Sequence, residues 1–230
     1  MIYFLDTADV AAIARGVDLY PVAGVTTNPT LIAREKRPLP DLLRDILAVI
    51  GPDKMLHVQV VSGKAETMVE EAERLRDFVG AGFHPKVPVT VQGMKAIRLL
   101  AARDFSVTAT AIVTAEQALM AAVAGAAFTA PYVNRLDNIC GDGAKVVADI
   151  AHLFRIHNLD TKLLTASFKN VQQVHDIAMA GAHSATLPPD ILDLLLSHPL
   201  TDSGVAGFMA DWNSVYGAGT STIDLIKAHE

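Results

Sequence analysis

The sequence is poor in cysteine, in charge and in aromatic residues. Its one cysteine, Cys140, has no partner within the chain. That excludes an intramolecular disulfide framework and fits a reducing compartment, so the cytoplasm is the expected location. Charged residues make up only 19% and the formal net charge is −6. No basic stripe is available to neutralise phosphates along a duplex, which argues against a nucleic-acid partner. The longest apolar run, "ALMAAVAGAAFTAPYV" at 118–133, is interrupted by glycine and proline and is too short to span a bilayer, so no membrane partner is expected. The opening "MIYFLDTADV" carries two aspartates and no basic residue, unlike a secretory leader. The eight histidines are scattered with no zinc-site spacing, and "GDGAKVV" at 141–147 lacks the dinucleotide and P-loop patterns.

What the chain has is apolar residues, 51% of the total, spread evenly over 230 positions. This supports one large core, and residues 1–230 read as a single domain without linkers, low-complexity segments or convincing repeats. Short β-rich runs stand at 2–6, 22–28, 55–61, 85–89, 106–112, 127–133, 162–168 and 184–188. Segments of helical spacing lie between them. Ala65, Met68, Val69, Ala72, Leu75 and Val79 make one apolar face opposite "EE", "ER" and "RD". Val146, Ile150, Leu153 and Phe154 make another, and "TNPT" offers Asn28 as a helix N-cap with Pro29 in the first turn. Eight strand–helix units in one α/β domain predict a (β/α)₈ TIM barrel, with a doubly wound open sheet as the rival that periodicity leaves open. Residues 200–230 add an extra C-terminal helix whose Val205, Phe208, Met209, Trp212 and Val215 exceed what a last barrel helix needs. That face is expected on a neighbouring subunit of a homo-oligomer.

"HPKVPVT" at 84–90 raises the functional question, because it sets Lys86 in an otherwise apolar strand. A lysine at a strand end ordinarily lays its stem on apolar surface and its head in water. In a barrel, however, catalytic groups gather at the C-terminal ends of strands. Polar residues interrupt the strands there: Asp6, Asn28, Gln59, Lys86, Thr110, Tyr132 with Asn134 and Arg135 beyond it, then Ser167 and Lys169. Singly, each has a plain explanation, Asn28 as a cap, Ser167 as a turn residue, Tyr132 as a core aromatic. Together they predict a site. An ordinary lysine is well under about 0.1% free amine at neutral pH, and apolar surroundings raise that fraction. Lys86 would then attack a carbonyl as a neutral amine. Asp6, or Tyr132 with a water held by Gln59 and Thr110, would move the protons. Arg135, Ser167 and Lys169 would hold a phosphate beside a helix N-terminus.

"FLDT", "GVTTNPT", "KVPVT", "APYVNRLD" and "TASFKN", with a "DW" helix in the tail, resemble the transaldolase family, and most closely its fructose-6-phosphate aldolase branch. The resemblance implies a barrel of the transaldolase type, no metal and no organic cofactor. It implies Lys86 as the Schiff-base nucleophile and places Asp6, Thr27, Asn28, Arg135 and Ser167 in catalysis and substrate binding. Sugar phosphates and dihydroxyacetone become the expected small-molecule partners, in carbohydrate metabolism, and a pentamer or decamer the expected assembly. Gln59 and Tyr132 resemble the aldolase arrangement, where transaldolases carry glutamate and phenylalanine. The implied reaction is reversible cleavage of fructose 6-phosphate to dihydroxyacetone and glyceraldehyde 3-phosphate, with transaldolase as the alternative. A phosphosugar isomerase and a silent sugar-phosphate-binding protein are the remaining rivals. The chain departs from that branch at His57, where an aromatic residue is usual, at "HPK" before the lysine, and at "TATAIVTAEQ" around strand five.

Overall fold

The computed structural model describes residues 1–228. Eight strands run in chain order around a closed parallel barrel. They are β1 (Ile2–Asp6), β2 (Val22–Thr26), β3 (Met55–Gln59), β4 (Phe83–Pro88), β5 (Thr108–Ile112), β6 (Phe128–Pro131), β7 (Lys162–Thr165) and β8 (Ser184–Leu187). The helices between them are α1 (Val10–Leu19), α2 (Pro29–Arg34), α3 (Leu39–Ile50), α4 (Ala65–Val79), α5 (Val91–Ala101), α6 (Ala115–Val123), α7 (Val133–Asp137), α8 (Gly143–Ile156) and α9 (Val171–Met179). Then come α10 (Pro189–Leu194), α11 (Pro199–Tyr216) and α12 (Thr222–Lys227). β1 pairs with both β2 and β8, so the sheet closes and the open-sheet rival is excluded.

The strands lie between two apolar layers, as parallel strands do. Leu5, Val25, Leu56, Val87, Leu163 and Leu187 are fully buried. Gly16 of α1 lies over Leu5; a Cβ there would come 2.7 Å from a Leu5 methyl. Inside the barrel, Phe4, Phe128 and Leu164 pack with Ala23, Met55 and Ala127. Helix starts are fixed by side-chain caps. Asn28 accepts from Leu31 N, with Pro29 following, and Thr90 accepts from Gly93 N. Thr114 and Gln117 form a reciprocal capping box. Gly93 is also a packing requirement, since a Cβ there would stand 1.8 Å from the Pro88 carbonyl oxygen.

Several predicted strands end early, and the reason is local. Thr27 and Asn28 leave β2 as Asn28 caps α2, and Tyr132 takes the N-cap position of α7 while keeping an isolated bridge to Ala166. Lys162–Thr165 is a short strand because Ser167 turns the chain into the left-handed region at φ 68°. β4 begins at Phe83, taking His84 into the barrel wall. In α8 the buried face is Val147, Ile150 and Phe154, one position round from the predicted Val146 and Leu153.

The chain divides into two compact units, one from Met1 to Leu192 and one from Asp193 onward. In the second, Trp212 Nε1 donates to the Thr220 carbonyl at 2.7 Å and its ring lies 4.4 Å from that of Tyr216. Val205, Phe208, Met209 and Val215 of α11 are exposed. Among the described residues no helix is long and apolar enough to cross a membrane.

Candidate active site

Lys86 is 4% exposed, so the usual arrangement of a wet ammonium on an apolar stem does not hold here. From β4 its Nζ reaches past β3 and donates to the Thr27 carbonyl at the end of β2, 2.8 Å away. A contact that skips a strand has to cross the barrel's interior. Burial pushes this amine below the ordinary lysine range, and the Asp6 carboxylate partly restores it.

Asp6, at the end of β1, shows the opposite balance. Burial pushes its carboxyl upward, while the Lys86 charge and the Thr26 hydroxyl hold it down. Thr26 donates to Asp6 Oδ1 at 2.7 Å. Its single proton is thereby used, so the 2.7 Å contact between the Thr26 and Thr186 hydroxyls is donated by Thr186. The carboxylate is thus oriented by a relay from β8 through β2, on strands either side of its own.

Gln59 and Thr108 flank Lys86 as its strand partners on β3 and β5. Beyond Ala109 the β5–β6 register slips, and Ala111 takes φ 61°. Left-handed conformations of this kind cost a non-glycine residue about 1–3 kcal/mol and gather at functional sites. Here the irregularity falls beside Thr110, whose hydroxyl lies 3.2 Å from the Tyr132 hydroxyl. The Arg135 guanidinium stands over the Tyr132 ring, 4.5 Å from its centre. Asn134 N donates to the Ser167 carbonyl at 2.8 Å, which sets the Arg135 helix against the Ser167 turn. Ser167 is half-buried, while Arg135 and Lys169 are exposed.

Two predicted contacts are taken up differently. The Thr27 hydroxyl donates to the His57 carbonyl, so Thr27 meets the lysine through its own carbonyl oxygen. The Asn28 side-chain oxygen is engaged as the α2 cap, leaving its amide nitrogen as the donor end. Thr26, Thr186 and Gln173 were not anticipated. Thr186 carried a signal, because the eighth strand was the one with no polar residue assigned to the site, and "SATLP" supplies it.

The departures at residues 57 and 84 meet inside the barrel. The His57 and His84 rings stack at 4.5 Å and 12°. His57 Nδ1 lies 2.8 Å from the Thr108 hydroxyl, and its buried Nε2 has no partner among the described residues. Burial, with His84 and Lys86 nearby, holds the His57 imidazole well below the ordinary range. Among the described residues no group of three or more His, Cys, Asp or Glu side chains is placed to hold a metal ion.

Known proteins resemble this chain in sequence and in fold. A "Probable transaldolase" of Geobacillus is 40% identical over 213 residues, covering 93% of this chain and 99% of that protein. Another from Symbiobacterium thermophilum is 41% identical over 214 residues, covering 93% and 98%. Among solved structures, native KDPGal superposes with a TM-score of 0.56 at 17% identity, covering 82% of each chain. A mandelate racemase/muconate lactonizing protein from Paracoccus denitrificans, in complex with magnesium, gives 0.56 at 16% identity, covering 83% of this chain and 55% of that one. At such identities these two likenesses concern the barrel fold alone. Residues 3–219 match the transaldolase/fructose-6-phosphate aldolase family, and the chain belongs to that family.

Proposed function

We propose that the protein is a Schiff-base aldolase that reversibly cleaves fructose 6-phosphate to dihydroxyacetone and glyceraldehyde 3-phosphate. The observation that carries this reading is the buried Lys86 amine, held among Thr27, Asp6 and Gln59, with the Tyr132–Thr110 hydroxyl pair across the same mouth. As a free amine, Lys86 attacks the ketone of the substrate. Proton transfers through Asp6 release the ketone oxygen as water and leave a cationic iminium. That cation draws the electrons of the carbon–carbon bond one removed from it, as the Asp6 carboxylate takes the proton of the hydroxyl on the departing carbon. Glyceraldehyde 3-phosphate departs, its phosphate having been held by Arg135, Ser167 and Lys169. Tyr132, with a water held by Gln59 and Thr110, then protonates the enamine, and hydrolysis frees dihydroxyacetone. Thr27, Asn28 and Asn134 complete the substrate-binding set.

The second reading is transaldolase, favoured by the names of the two relatives described above. In that case the enamine waits for a second aldose. The two are separated by comparing release of free dihydroxyacetone with three-carbon transfer to erythrose 4-phosphate. Tyr132→Phe should cut cleavage by about 10²–10⁴, the usual span for a lost proton donor, and raise transfer relative to it. Unchanged cleavage would remove Tyr132 from the proton step. Borohydride added with dihydroxyacetone should fix mass on Lys86, located by peptide mapping. Absence of an adduct would leave Lys86 an electrostatic role, as in an isomerase, and full turnover in Lys86→Ala would leave only a binding protein. The exposed apolar residues of α11 support a homo-oligomer, pentameric or decameric, which mass measurement in solution tests. A cytoplasmic location is part of the same reading.

A further inference from the structure

Arg135 and Lys169 come from different parts of the chain, one from α7 after β6 and the other from the turn after β7. A phosphate held between them needs the two segments kept in register. Gln173, on the first turn of α9, lies between them and is only 8% exposed. Its Nε2 donates to Asn134 Oδ1 at 3.2 Å and to Asp137 Oδ2 at 2.6 Å. Those acceptors stand one residue before and two residues after Arg135. Its Oε1 accepts from the backbone amide of Lys169 at 2.8 Å. Its own backbone amide is fixed by the Asn170 cap at 2.9 Å.

Both amide protons and the carbonyl of one buried side chain are therefore spent on the two segments that carry the cationic groups. Burying an amide is unfavourable unless it is fully bonded, and an apolar side chain would fill the same space at lower cost. Asp137 is held as well, its Oδ1 accepting from Gly143 N at 2.9 Å, so the strut is anchored at the far side of α7. A second tie runs beside it, from Asn134 N to the Ser167 carbonyl at 2.8 Å. Gln173 touches neither Lys86 nor Asp6 in any of these contacts. Its influence should fall on the phosphate end of the substrate and leave the amine chemistry alone.

We propose that Gln173 is a positioning residue that holds the Arg135 helix and the Ser167–Lys169 turn at the spacing a phosphate monoester requires. This rests on the aldolase reading above, through the assignment of Arg135, Ser167 and Lys169 to a phosphate. It adds a determinant of selectivity for phosphorylated over unphosphorylated acceptors.

The test compares glyceraldehyde 3-phosphate with unphosphorylated glyceraldehyde as acceptors for dihydroxyacetone, in wild type and in Gln173→Met. Methionine keeps the length and loses all three hydrogen bonds. The expected result is a KM for the phosphorylated acceptor raised about tenfold, in line with the loss of charge-positioning hydrogen bonds, with kcat nearly unchanged. The unphosphorylated acceptor should react as in wild type, and the inhibition constant of inorganic phosphate should rise by the same factor. Equal losses with both acceptors, or unchanged discrimination, overturn the proposal. Gln173→Glu keeps the acceptor for Lys169 N and sets a carboxylate against Asp137, and it carries the same readout should the methionine variant not fold. If wild type gives no borohydride adduct at Lys86, or no preference for the phosphorylated acceptor, the aldolase reading and this inference fall together. A wild type that shows both, with variants that keep its discrimination, overturns only the role of Gln173.

Discussion

His57 offers a perturbation whose size follows from its surroundings. The ring is fully buried, edge-on to Phe4 at 5.2 Å and to Phe128 at 5.4 Å, and stacked on His84. The titratable neighbours acting on it are His84 and Lys86, both of which disfavour its protonation. In the unfolded chain the same imidazole titrates near the ordinary value of about 6.5. Above that pH both states hold it neutral and it adds no pH dependence. Below, the unfolded chain takes up a proton that the folded chain refuses, so stability falls as pH falls until the folded-state value is reached. The slope is about 1.4 kcal/mol per pH unit. Between pH 6.5 and 5.5 His57 alone should therefore remove on the order of 1 kcal/mol, or about 2–4 °C in Tm for a domain of this size. His57→Phe fills the same edge-to-face niche and abolishes that share of the slope. The variant also frees the Thr108 hydroxyl and removes an unpaired Nε2, two effects that oppose each other and are independent of pH. Thermal melts of both proteins at pH 7.5, 6.5 and 5.5 isolate the difference, since titrating groups that do not act on His57 cancel, and His57→Phe in a His84→Phe background removes the share of its stacked neighbour. Parallel curves would refute a neutral, desolvated His57.

Three other outcomes follow from the site. Lys86→Met should unfold cooperatively and give no adduct with dihydroxyacetone and borohydride; a mapped adduct on another lysine would move the nucleophile. Asp6→Asn removes the charge that raises the Lys86 amine, so the midpoint of adduct formation against pH should move down, while cleavage falls by about 10²–10⁴. An unmoved midpoint would show that the two groups do not interact. Gly93→Ala should lower stability by about 1–3 kcal/mol, because its Cβ would collide with the Pro88 carbonyl oxygen; an unchanged melting temperature would mean that α5 does not close on the lysine strand as described.

The barrel was legible because parallel strands buried on both faces leave unbroken apolar runs, and because the caps that separate them, Asn28 above all, carry side-chain chemistry visible in one dimension. The rim was legible for a related reason. A polar residue inside such a run has to face either the mouth or a partner, and Asp6, Lys86 and Thr110 do both. What periodicity could not give was contact across the interior. Thr26 and Thr186 are 160 positions apart and meet through hydroxyls that ordinary β-rich threonines also carry. Gln173 sits on an amphipathic helix where glutamine usually faces water, and only the convergence of α7 and the β7 turn gives its amide a purpose. The His57–His84 stack needed the register of β3 against β4, in which the two residues are direct partners.

The lysine and the aspartate are best understood as a pair. Freeing the amine of an ordinary lysine at pH 7 costs about 4.6 kcal/mol, a barrier the proposed nucleophile would have to lower. Burial shifts Lys86 down and Asp6 up, so desolvation alone favours the neutral amine beside the neutral acid. Their mutual attraction favours the ion pair instead, and it is the smaller cause for each group. The two protonation arrangements are thereby brought closer in free energy than the same residues would be in water. One proton moving from Lys86 to Asp6 would yield both a free amine and an acid, the two species that carbinolamine formation and its dehydration require in the proposed aldolase. Thr26 biases that exchange by donating to the ionised carboxylate, with Thr186 donating to Thr26 behind it, so Thr186→Val should weaken that bond, raise Asp6 further and favour the neutral pair.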